Sequence, residues 1–138
     1  MILGAISRSR GVTLMELLVV LVVAAFLAAV ALPSYLSILR KGRRSDAVDA
    51  SVAVLQAQER YRANNPSYAP TLAALGQAST SAAGQYGLAL LASTAVGYQL
   101  TLLAVNGSAQ AGDTGCTALT VTVSNGSPSY APSTCWSR

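Results

Sequence analysis

The stretch from Gly11 to Pro33, GVTLMELLVVLVVAAFLAAVALP, limits the possible folds of this chain more than any other feature. Between Val12 and Leu32 the single charged side chain is Glu16. At about 1.5 Å of rise per residue, that span makes a helix of roughly 31 Å, enough to cross the hydrocarbon core of a bilayer. From Leu17 to Leu32 the helix is apolar all round, whereas a buried core helix would be shorter and polar on one face. Charge lies on the flanks: Arg8 and Arg10 before it, then Arg40, Lys41, Arg43 and Arg44 after it. The reading is a membrane-spanning helix, with a buried helix as the alternative.

Glu16 is the exception that carries information. A charge inside hydrocarbon costs on the order of 3 kcal/mol even on the lenient insertion scale. Near the start of the span it can rest at the interface at lower cost, and that is the plain structural reading. The functional reading is that it waits for a cation. A cut after Gly11 would create an α-amine at Val12, four residues away and about one helical turn along. Between staggered neighbours the same two charges could pair in an apolar setting. At an effective dielectric near 20 and 4 Å separation such a pair is worth about 4 kcal/mol. The carboxylate would then set subunit register.

The run Gly11-Val12-Thr13-Leu14-Met15-Glu16-Leu17-Leu18 resembles the processing motif of type IV pilins, as does the apolar stretch ending Ala31-Leu32-Pro33-Ser34-Tyr35. The order of features carries the resemblance: a short basic leader, Gly, Thr-Leu-x-Glu, an apolar helix, Pro, then Tyr. It covers Gly11 to Tyr61 strongly and the carboxyl end more weakly. The resemblance implies a type IVa pilin cut after Gly11 on the cytoplasmic side by a prepilin peptidase and methylated on the new amine of Val12. It also implies a filament whose core is a bundle of these helices. The family commonly has Phe after the cut and a Gly in mid-span, where this chain has Val12 and Ala25. With Ala25 there, the segment from Ala25 to Pro33 is expected to resist local unwinding.

With leader and span set aside, about one hundred of the 138 residues remain, enough for one small domain. Charged residues make up 10% of the chain against roughly a quarter in ordinary soluble proteins. The nine Lys and Arg, less Arg8 and Arg10, leave seven against five acids. That +2 balance is too small to argue for nucleic acid by itself. Cys116 and Cys135 come without any His and without CxxC spacing, so neither a tetrahedral metal set nor a redox motif is present. A disulfide in an oxidising compartment is the preferred reading, with two free thiols as the alternative. Closing this loop would contribute roughly 3 kcal/mol through the unfolded state.

The positive-inside count, four basic residues after the span and two before it, favours the opposite orientation to the one that the leader and the disulfide demand. The processing motif decides for a cytoplasmic amino terminus and a periplasmic carboxyl terminus. Residues 1–11 are too short and polar for a secretory signal with its own apolar core. A conventional signal peptide cut after Ala29-Val30-Ala31 is the rival reading, and it leaves Glu16 unexplained.

The remaining chain reads as an α+β fold. One helix is expected from Thr13 to Asn64, kinked or stopped at Pro33 and ended by Asn64-Asn65-Pro66. In its second half Val48, Val52 and Leu55 form the face expected to pack on a sheet, with Glu59, Arg60 and Arg62 toward solvent. Arg40 to Arg44 reads as a solvated basic run, then as a contact for lipid head groups or acidic neighbours in the filament, and last as a contact for DNA, with Asp46 and Asp49 partly neutralising it. An irregular connection with a short helical turn near Leu72 to Leu75 precedes strands at Gly87–Ser93, Tyr98–Val105 and Leu119–Val123. Asn106-Gly107 and Asn125-Gly126 mark turns. The tail is expected to fold back, pinned by Cys135 to Cys116. In the family's terms this is the pilin fold: leader 1–11, membrane and filament-core helix 12–33, amphipathic half 34–65, and a head 66–138 with a small antiparallel sheet and disulfide loop. Gly115-Cys116 and Cys135-Trp136 resemble the minor-pilin branch.

No nucleophile–base pair, phosphate loop or metal cluster is visible, so an enzyme is not expected, and no cofactor is. The first functional reading is a subunit of a type IV pilus, held in the inner membrane until it joins a surface filament with other pilins. Adhesion, twitching motility and DNA uptake follow by resemblance alone. The second is a pseudopilin of a type II secretion system. The third is a pilus-tip DNA receptor using Arg60, Arg62 and Arg138.

Overall fold

The computed structural model describes residues 11–136. Its first element, α1, runs Leu14–Arg62. No Gly interrupts the chain from Val12 to Lys41, so Pro33 is the one strong helix breaker in that stretch. The helix continues through Pro33, which excludes the expected alternative of a stop at that residue. Thr13 precedes the first turn, and its Oγ1 accepts from the Glu16 N–H at 3.2 Å. Thr13-x-x-Glu16 is therefore a capping-box sequence that also places a carboxylate in the positive first turn of the helix. At the other end Asn65 Nδ2 donates to the Tyr61 carbonyl at 2.8 Å, and Arg62 Nη1 donates to the Asn65 carbonyl at 2.9 Å. The first adds a side-chain donor to a carbonyl of the last turn and the second ties that turn to the chain just before Pro66.

The chain divides into two units, Met1–Leu36 and Ser37–Arg138. The described part of the first is the largely apolar start of α1 and the three residues before it, every one exposed. The second holds an antiparallel meander in the order β1 (Tyr86–Leu91), β2 (Gly97–Ala104), β3 (Ala118–Ser124) and β4 (Ser127–Ala131). The four strands agree with the α+β, small-sheet expectation. The first begins and ends slightly earlier than expected, and the tail makes a true fourth strand. Register is set by pairs such as Leu88↔Leu102 and Leu102↔Leu119. Asn125 (φ 49°) and Gly126 (φ 78°) both adopt positive φ, as a tight primed hairpin turn between β3 and β4 requires. Gly97 is required for another reason: a Cβ there would lie 2.2 Å from the Val123 carbonyl oxygen.

Alternation sorts the sheet into two faces. Tyr86, Leu88, Tyr98, Leu100, Leu102, Leu119, Val121 and Val123 are buried against the helix side. The opposite face carries Gln99, Thr101, Thr120, Thr122 and Ser129, none of them buried. Strand β4 is exposed at all five positions and contains Pro128.

The helix face that closes this core corrects the expectation. The buried helical residues are Ala47, Ser51, Val54, Ala57 and Gln58, while Val52 is 43% exposed and Val48 only half-buried. The stripe is rotated by about one residue, and it contains two polar groups that are internally satisfied. Ser51 Oγ donates to the Val48 carbonyl at 2.7 Å. Gln58 clamps Ala69 from both sides: its Nε2 donates to the Ala69 carbonyl at 3.1 Å and its Oε1 accepts the Ala69 N–H at 2.8 Å. Of the predicted trio, Leu55 does pack against the core.

Candidate functional site

Three features carry the functional chemistry. The first is the start of α1. Gly11 and Val12 precede the helix and are exposed, as is Glu16 in its first turn. Large apolar side chains stand uncovered along the span, from Leu14 (82% exposed) to Leu32 (57%). The helix is long and apolar enough to cross a membrane. Burying such a side chain is worth roughly 1.5–3 kcal/mol, so this surface drives insertion into lipid or against other apolar helices.

The second feature is the loop that joins β2 to β3. Its short helical turn, Ala109–Gly112, ends on Asp113, which is buried. Arg44 reaches it from α1 with Nε to Oδ2 at 2.7 Å and Nη2 to Oδ1 at 2.9 Å, a bidentate pair. Gln110, fully buried, donates from Nε2 to Asp113 Oδ2 at 3.2 Å and to the Tyr86 hydroxyl at 2.9 Å. The Arg44 guanidinium holds the Asp113 carboxyl below the usual carboxylate range, with Gln110 adding to that effect. Burial pushes the Tyr86 phenol up. Three residues on, Cys116 is bonded to Cys135 at a Cα–Cα distance of 5.7 Å, closing a loop over β3 and β4. Trp136 follows, its ring edge-on to Tyr130 with centroids 5.0 Å apart.

Arg44 is thus no part of a solvated basic run; it is an internal anchor. Asp46 corrects the expectation too. Instead of screening that run, it accepts bonds from Ser81 Oγ, from the Ala83 N–H at 2.9 Å and from the Gln85 N–H at 3.3 Å, tying the loop before β1 to the helix. Among the described residues no group of three or more His, Cys, Asp or Glu is gathered to hold a metal ion.

The third feature is the distribution of cations. From Ala63 to Ser137 the sequence contains no Lys or Arg and one acid, Asp113. Every described cation of the second unit therefore lies on α1: Arg40, Lys41, Arg43 and Arg44, then Arg60 and Arg62 in the last turn. Arg60 is exposed, and the Arg62 guanidinium lies 5.8 Å from the centroid of the Tyr68 ring. Arg138 lies outside the described residues, as do residues 1–10, where the leader is expected.

The family model described as type IV minor pilin ComP, DNA uptake sequence receptor, matches residues 33–120. The model of the prokaryotic N-terminal methylation motif matches residues 6–32, ending where the first begins. No curated protein matches the chain. The first model covers well over half of the chain, from the second half of α1 into β3, so the chain belongs to the type IV minor pilin ComP family.

Proposed function

We propose that this pilus subunit is released from a leader at Gly11, methylated at Val12, and drawn from the inner membrane into a surface filament by its apolar helix. The observation that carries the reading is the uncovered span with one acid in its first turn. On this reading residues 1–11 are the leader cut by a prepilin peptidase, 12–33 pack in the filament core, 34–65 complete the helix and 66–138 form the displayed head. Glu16 meets the methylated amine of a neighbouring subunit and fixes the stagger between copies. Its capping geometry supports this role. Thr13 Oγ1 already satisfies the Glu16 backbone N–H, so the Glu16 side chain can meet a cation without costing the helix its first turn. The family's description as a DNA uptake sequence receptor adds DNA contact as this subunit's second role.

Mass spectrometry of the amino terminus, made on fibres sheared from cells, tests this reading. A methylated Val12 terminus in the fibre fraction is the expected result. Glu16→Ala should lower the share of the subunit recovered in fibres at least tenfold while leaving its amount in the membrane unchanged. Normal recovery of that variant would remove the electrostatic docking step, and an intact Met1 terminus in assembled fibres would remove the processing step.

A further inference from the structure

The DNA-contacting reading leaves open which surface meets the phosphates, and the placement of charge narrows it. Neutralising phosphates with Lys and Arg is the dominant, salt-dependent part of DNA binding. The sheet and its loops have no cation to offer, and the exposed sheet face is built of uncharged side chains such as Gln99, Thr101, Thr120 and Thr122. The one acid there, Asp113, is neutralised internally by Arg44. That pairing also removes Arg44 from any external role. Arg40 lies against the same loop, its Nη2 3.8 Å from where a Cβ on Gly112 would stand. Arg40, Lys41 and Arg43 also follow Leu32, the end of the apolar span, by eight to eleven residues. That position suits lipid head groups before assembly and neighbouring helices afterwards.

The last turn of α1 is different. Arg60 is exposed there, and Arg62 is held in place by its bond to the Asn65 carbonyl and by the Tyr68 ring beneath it. A guanidinium braced on a buried aromatic loses less freedom when it binds a phosphate than an unsupported one does. Exposed Asn64 stands beside the pair, and Glu59, the one acid nearby, acts on the Tyr68 hydroxyl. We infer that the cationic part of this subunit's DNA contact is a two-cation phosphate site made by Arg60 and Arg62 at the carboxyl-terminal turn of α1, the sheet supplying none of the neutralising charge. The inference rests on the DNA-contacting role proposed above. The competing account is that both arginines only complement the negative end of the helix dipole.

If both arginines only complement the helix dipole, removing them leaves the salt slope of DNA binding unchanged, and the size of that slope counts the cations engaged. Two phosphate contacts give log K against log salt a slope of about −1.8, or about twelve-fold weaker binding between about 50 and 200 mM salt. Engagement of all five of Arg40, Lys41, Arg43, Arg60 and Arg62 would give a slope of about −4.5, or about five-hundred-fold. The experiment is fluorescence anisotropy of a short labelled duplex titrated with the full processed chain in non-ionic detergent, across that salt range. The wild type should show the shallow slope. Arg60→Gln, at an exposed position, should halve it, and Arg60→Gln with Arg62→Gln should abolish salt-dependent binding. The triple change of Arg40, Lys41 and Arg43 to Gln should leave the slope as it was. A slope lost in the triple variant and kept in the double one overturns the placement while the receptor role stands. An absence of salt-dependent binding by the wild type overturns the receptor role itself.

Discussion

Arg44 holds Asp113 by both carboxylate oxygens across 69 positions of sequence, and both side chains are shielded from water. The pair joins α1 to the loop between β2 and β3, just ahead of the disulfide. Removing one partner of a buried pair strands the other charge, which costs about 3–5 kcal/mol. Arg44→Met and Asp113→Leu are each expected to destabilise the second unit by an amount in that range, read as a drop in thermal midpoint. The double substitution should recover a large part of the loss, because the stranded charge is gone.

The same pair sets a pH dependence. Asp113 is held below the ordinary carboxylate range when folded, so the unfolded chain takes up the proton first as pH falls. Its contribution is therefore fully present above the unfolded value of about 3.9 and is lost as pH drops from there through the folded value. Urea midpoints measured between about pH 6 and pH 2 should be flat in the upper part of this range and fall in the lower part. Asp113→Asn should be less stable at neutral pH and show less of that acid-induced fall.

Gln58 is expected to be as intolerant as a core leucine. Its amide satisfies both backbone groups of Ala69, and the side chain is fully buried. Gln58→Leu would leave two buried polar groups unpaired at about 1–3 kcal/mol each. Chemical denaturation should show that loss, and amide exchange at Ala69 should speed up with it. Gln58→Glu should be worse than Leu at neutral pH, since the carboxylate cannot donate to the Ala69 carbonyl.

Reduction of Cys116–Cys135 should lower stability by roughly 3 kcal/mol through loop entropy. The effect should centre on β4 and the tail, which lie inside or beside the closed loop. Proteolysis under reducing conditions, with cleavage first appearing between Ser124 and Trp136, checks this.

Local signals in the chain were readable and so was the Cys116–Cys135 pairing, while the polar pairings between elements were not. The helix announced itself through its apolar run and the Asn64-Asn65-Pro66 terminator, and β2, β3 and the Asn125-Gly126 turn through alternation and turn chemistry. The buried helix face did not, because Ser51 and Gln58 interrupt its apolar pattern and Gln58 finds its partner only in the loop beyond the helix. Arg44 looked like one member of a basic cluster, and only folding brings Asp113 to it. The available hint was isolation: a lone acid in an otherwise uncharged stretch needs a cation from elsewhere. The Thr13-x-x-Glu16 cap is a local signal as well, yet it was not anticipated.

The outermost strand carries a consequence for crowding. Open strand rims invite copies to stitch together through their backbones, and the hazard grows when many heads are held close along a fibre. In β4 every residue faces solvent, the strand is five residues long, and Pro128 supplies no N–H. That blunted rim is a poor template, which keeps illicit sheet extension from competing with ordered polymerisation.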